Sequence, residues 1–231
     1  MKQLVLLFLF MSTISSSALA QRRKKGERTI QFCGTRWQDT EKMKAGLQRE
    51  IDFFRLMEND TIVDIGASSG SYNGAISAAT SFTNLHFVLV DIDSSCLNQR
   101  KVTNMIGHYS ILKGDKITNT FQLVNNTPDS LWLPANRYKK AWLLNVLHEI
   151  PDPDKMVKDI NYILQQAGEL VLLEITPTKR GELHGGCRMP LRSATEWKAI
   201  FDKNGFLFTE ALEIKKNRGK THLVMMRFVK A

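Results

Sequence analysis

Apolar positions recur along the chain in two rhythms, and their alternation sets out the elements. Met43, Leu47, Ile51 and Phe54 fall four, four and three apart, which is one face of a helix that Asp39 or Thr40 can cap. A short apolar run, Thr61 to Ile65, then ends in Asp64-Ile65-Gly66-Ala67-Ser68-Ser69-Gly70 and opens a small-residue helix from Ser71 to Thr80. A second strand, Leu85 to Val90, closes on Asp91-Ile92-Asp93, and a helix is predicted from Ser94 to about Thr103. Residues Gly107 to Asn119 carry no clear period. Further strands are read at Phe121 to Asn125, at Ala141 to Asn145 and at Glu169 to Glu174. Between the last two, Met156, Val157, Ile160, Ile163 and Leu164 define a helix that stops at Gln166-Ala167-Gly168.

Ser193-Ala-Thr-Glu196 is a capping-box pattern for a helix running to Asn204-Gly205. The stretches Phe206 to Ile214 and Thr221 to Val229 are rich in Phe, Val and Leu, with a polar connection between them. A connection that short pairs strands antiparallel. The expected fold is therefore α/β: a Rossmann-like, mostly parallel seven-stranded sheet with a C-terminal antiparallel hairpin and helices on both faces.

The glycine turn after the first strand carries chemistry. Gly66 permits a sharp turn, Gly70 lets backbone come close to a ligand, and the free N–H groups of the helix start can take a carboxylate or phosphate. An acidic residue at the tip of the second strand, Asp91, is placed to grip ribose hydroxyls; Asp93 is the fallback. A nucleoside-bearing cofactor is the implied ligand.

From about Glu41 onward, this order of motifs resembles the class I S-adenosylmethionine-dependent methyltransferases. The resemblance implies S-adenosylmethionine as cofactor, with Asp64, Gly66, Ser68, Gly70, Asp91, Asn126 and Asn145 at its site. Ser68 stands where the family usually has a glycine, and Asn126 where it often has an aspartate facing the adenine amino group. Asn145 lacks the Pro-Pro-aromatic sequel of enzymes that methylate exocyclic amines, which points away from those acceptors. The run Leu143 to Glu149 is similar to the segment of small-molecule O-methyltransferases whose histidine removes a hydroxyl proton. His148 is thus the candidate base and Glu174 the acid that orients it. Those enzymes carry an extra dimerisation domain, and similar His-Glu pairs occur in C-methyltransferases. A structural histidine that caps a helix or lines the pocket is the competing reading. The expected activity is O- or C-methylation of a small molecule. The alternative is an exported, catalytically inactive binding protein that keeps the fold.

The chain has 231 residues and is 43% apolar, which suits one globular domain. Its net charge of +9 is scattered apart from Arg22-Arg23-Lys24-Lys25, so a nucleic-acid partner is not expected. Three cysteines, Cys33, Cys96 and Cys187, give neither a disulfide framework nor zinc-clip spacing, although a single bridge stays open; no metal is expected. The glycine-bearing loop Thr176 to Leu191 holds His184 and Cys187. It reads as a flexible surface loop, with a lid, a substrate contact or a soft-metal pair as the other readings.

Residues 1–20 read as a secretory signal: Lys2, an apolar core from Leu4 to Met11, and Ala18-Leu19-Ala20 before Gln21. Residues 21–38 read as a basic linker and 39–231 as the methyltransferase-like domain. Export sits awkwardly with a donor made in the cytosol. The positive charges after the apolar core would suit an uncleaved anchor with the domain facing the cytosol, but that core falls short of the ~20 residues that span a bilayer. Cleaved export, to the periplasm or the medium, is the preferred expectation.

Overall fold

A computed structural model describes residues 31–128, 130–217 and 221–231, which do not include the predicted signal segment. Among the described residues, five α-helices and seven strands follow in the order α1 (Thr40–Phe54), β1 (Thr61–Ile65), α2 (Ser71–Ala79), β2 (His86–Asp91), α3 (Gln99–Lys113), β3 (Thr120–Asn125), β4 (Tyr138–Leu144), α4 (Pro153–Ile163), β5 (Leu164–Pro177), α5 (Ala194–Lys203), β6 (Phe206–Asn217) and β7 (Thr221–Lys230). A 3-10 turn, Leu147–Glu149, lies between β4 and α4. The strands form one sheet in the order β3-β2-β1-β4-β5-β7-β6. The first five are parallel, and β7 runs antiparallel to both β5 and β6. The expected sheet and its terminal hairpin are both present. The order reverses between β1 and β4, and a crevice opens beside such a switch point at the carboxyl ends of the strands.

Strand side chains alternate between two cores. Ile62, Phe87 and Leu89 face one core with Phe54, Met105 and Tyr109. Val63, Ile65, Val88 and Val90 face the other with Ile160, Trp197 and Phe201. Burial on both faces is why these central strands read as nearly continuous apolar runs. Aromatic stacks lie within each layer: Phe54 on Trp142 with centroids 4.0 Å apart, and Phe201 on Phe228 at 4.1 Å.

Helix starts follow local chemistry. Asp39 rather than Thr40 caps α1, accepting from the Lys42 amide, and Ser193 with Glu196 forms the predicted capping box on α5. The helix after β2 is displaced from its predicted span. Residues 94–98 turn instead, with the Ser95 amide donating to the Asp93 carboxylate, and Asn98 caps a helix that runs through Gly107 to Lys113. Its buried positions are Val102, Met105 and Tyr109.

The segment expected to be a linker is, from residue 31 on, part of the domain. Phe32 is buried, Asn104 donates to the Gln31 carbonyl, and His108 bonds the Trp37 carbonyl. The Thr35 carbonyl accepts from both Ser71 and Tyr109. Cys33 is joined to Cys96 by a disulfide across 63 residues. The cysteine spacing left that bridge open, and only the fold brings the two together.

Candidate functional site

A cavity of about 550 Å³ lies at the carboxyl ends of the parallel strands. That volume is within the range of small-molecule and cofactor sites. Gly66 and Ser68 after β1, Asp91 and Asp93 at the end of β2, Asn126 after β3, and Asn145 and Val146 after β4 all line it. Ile150, Pro151 and Met156 add an apolar side.

The turn is built tightly. Gly66 has φ +75, and a Cβ there would come within 2.4 Å of Val146, so both backbone conformation and space require glycine. Ser68 also adopts a left-handed backbone, φ 53, which is the physical reason a glycine suits that position. Its amide donates to Asp91 Oδ2 at 2.7 Å, while the Asp93 amide donates to Asp91 Oδ1 at 2.8 Å. Asp91 is thereby fixed at the cavity edge and keeps lone pairs for a diol. Asn145, φ 60, donates its amide to the Leu173 carbonyl. The side-chain oxygens of Asn126 and Asn145 are buried without a hydrogen-bond partner. Both residues line the cavity, so an N–H donor on a ligand would satisfy them.

Two expected cofactor residues stand apart from this wall. Gly70 caps α2 in the left-handed conformation, and a Cβ on it would meet Leu89 at 2.7 Å. It serves the turn and the helix packing, and it is not among the residues lining the cavity. Asp64 lies beneath the turn, 2% exposed. Burial raises its carboxyl to about 7, with the nearby Asp91 charge adding to the rise and the Asn73 amide opposing it.

The expected acid–base pair is formed but is not in the cavity wall. His148 Nδ1 lies 2.8 Å from Glu174 Oε2, and the His148 amide donates to Glu174 Oε1 at 3.2 Å. Both side chains are fully enclosed, and neither lines the cavity; the adjacent Glu149 does. Burial pulls the imidazole pKa down, but the bond and charge of Glu174, with Glu149 behind it, outweigh that and leave it raised. A base must reach its proton directly or through one water, and neither His148 nor Glu174 is among the residues lining the cavity. On the loop after β5, the His184 ring packs 4.5 Å from that of His148. His184 and Cys187 were read as part of a flexible surface loop. Their donor atoms, with those of His148 and Glu149, all lie within 4.8 Å of one another.

No family model matches the sequence, and none of the curated proteins does either. Solved structures do match by fold. A methyltransferase from Methanosarcina mazei superposes with a TM-score of 0.61 at 16% identity, over 78% of this chain and 96% of the other. An S-adenosylmethionine-dependent methyltransferase from Aquifex aeolicus gives 0.57 at 16% identity, over 84% and 100%. The cyclase SpnF gives 0.58 at 14% identity, over 83% and 81%. The chain thus has the Rossmann-like methyltransferase fold.

Proposed function

We propose that the protein binds S-adenosylmethionine in the strand-end cavity and transfers its methyl group to a small molecule. The observation that carries this is the convergence of Gly66, Asp91, Asn126 and Asn145 on one cavity. Asp91 is there to accept from the ribose hydroxyls, and the two unpartnered amide oxygens are there to accept from the cofactor's N–H groups. The donor's sulfonium charge already activates the methyl, so the protein's task is alignment of acceptor and methyl. Val146, Ile150, Pro151 and Met156 offer the acceptor an apolar side. An enclosed His148 supports no role for it as base, so the reading rests on positioning. Asp91→Ala removes both the diol acceptor and the tie to the turn. Calorimetry should find S-adenosylhomocysteine binding in the wild type and its loss in the variant; no binding to wild type at millimolar ligand overturns the proposal.

A second reading has an observation of its own. The Cys33–Cys96 disulfide suits an oxidising compartment outside the cytosol, in line with the predicted signal segment and away from the donor's source. There the chain would act as an exported binding protein that keeps the fold without turnover. Fractionation of the native protein combined with sequencing of its N-terminus separates the two: a cleaved, exported chain with no affinity for the cofactor favours the binding protein. Among the described residues no helix is long and apolar enough to cross a membrane.

A further inference from the structure

We infer that His148, His184, Cys187 and Glu149 form a binding site for a divalent transition metal of the zinc class, between the cavity-lining Glu149 and the loop after β5. Four donors of suitable chemistry meet there: two imidazoles, a thiol and a carboxylate, all within 4.8 Å of one another. The ring of His148 is the fixed point. In the neutral ring, with Nδ1 donating to Glu174 at 2.8 Å, the lone pair is on Nε2. That Nε2 is buried and has no hydrogen-bond partner, and Glu149 Oε1 lies 3.7 Å from it. A buried acceptor with nothing to accept calls for an occupant. A carboxylate behind a histidine is also the usual support for a metal-bound imidazole, since it sets the tautomer and makes the ligand more basic.

The other donors come from one short loop. Leu183 and Pro190 bridge its ends, and the His184 amide donates to the Met189 carbonyl at 2.8 Å. This puts His184 Nδ1 and Cys187 Sγ 3.0 Å apart on one side of the loop. Cys187 is the free cysteine, while Cys33 and Cys96 are bonded to each other. A tetrahedral ion with bonds of about 2.0–2.3 Å needs its donors some 3.3–3.8 Å apart, so the widest pair must close by roughly 1 Å. The exposed loop end can make that movement while His148 stays in place. Thiolate with imidazole selects zinc-like ions over magnesium or calcium, which prefer oxygen. Glu149 belongs to both the cluster and the cavity wall, so the ion would border the space assigned to the acceptor. That last point rests on the proposed methyl transfer; metal binding does not.

The test uses the purified protein without a histidine tag, titrated with Zn(II) alone and with Co(II) alone. One ion per chain is expected, with a thiolate-to-cobalt absorption band. Cys187→Ser should abolish the band, and Cys187→Ser and His184→Gln should each weaken zinc binding at least 100-fold. Glu174→Gln should weaken it by about 10–100-fold. Both loop residues are away from the cores, and thermal melts check that the variants fold. S-adenosylhomocysteine affinity in Cys187→Ser should match wild type, which separates failure of this site from failure of the cofactor reading. Absence of stoichiometric binding at micromolar ion, a cobalt complex without the thiolate band, or unchanged affinity in both loop variants overturns the inference.

Discussion

Asp64 is a carboxylic acid held where water does not reach, and its consequences belong to that one residue. Its carboxyl is raised to about 7 from an ordinary 3.8, so the fold prefers it protonated. Between those values the folded chain binds more protons than the unfolded one, and stability falls as pH rises. It is highest below the ordinary value and stops falling above about 7; the whole span corresponds to at most about 4 kcal/mol. Asp64→Asn keeps the shape and removes the ionisation. Urea unfolding should find the variant close to wild type at pH 4 and more stable at pH 8; equal stabilities at pH 8 would contradict the assignment. The identity of such residues was legible from the sequence, because a strand, an acid and a glycine turn lie side by side. Their division of labour was not. Asp64 and Gly70 were expected at the cofactor site; the sheet puts one beneath the turn and the other against Leu89, neither lining the cavity.

Elements pack by what their surfaces leave out. On α2, Gly74 faces α3, and a Cβ there would sit 2.2 Å from Met105 Sδ and 2.5 Å from Tyr109 Cδ2. Two effects oppose each other in Gly74→Ala: helix propensity gains about 1 kcal/mol, while overpacking costs about 1–3 kcal/mol. Met105 can flex, but the Tyr109 ring is buried and its hydroxyl is tied to the Thr35 carbonyl at 3.0 Å. The clash should win, and a chemical melt should record a net loss of up to about 2 kcal/mol. Capped, periodic helices such as α4 and α5 were readable because their signals are local. The helix α3 was misplaced because Ser94 to Leu97 imitate a helix start, whereas Asn98 makes the actual cap. The meeting of His148 with His184 and Cys187 was illegible, since it depends on β4 and β5 lying side by side.

At the scale of the molecule, the disulfide ties the N-terminal segment to the loop that borders the cavity, because Cys96 is itself a lining residue. Closing a loop of that length is worth about 4 kcal/mol in the chain-entropy picture, and measured values are commonly 2–4. Cys33→Ser/Cys96→Ser should lower the melting temperature, abolish its response to a phosphine reductant, and weaken S-adenosylhomocysteine binding as the loop loosens. A melt unchanged by reductant in the wild type would show that the bridge adds nothing. A second tie is electrostatic: Arg227, 1% exposed, bonds Glu169 and Glu210 at 2.7 Å and also meets the Phe53 carbonyl. It thereby joins α1 to the β5–β7–β6 side of the sheet.

The strand order has a consequence for how the chain is made. β7 lies between β5 and β6, so during synthesis β5 waits as an open edge until Thr221–Lys230 has emerged. The link from β1 to β4 likewise waits for two intervening strands and their helices. Pairing over such distances is slow to close. A nascent chain of this kind keeps its sheet incomplete until synthesis is nearly finished, and the seam between β5 and β7 closes last.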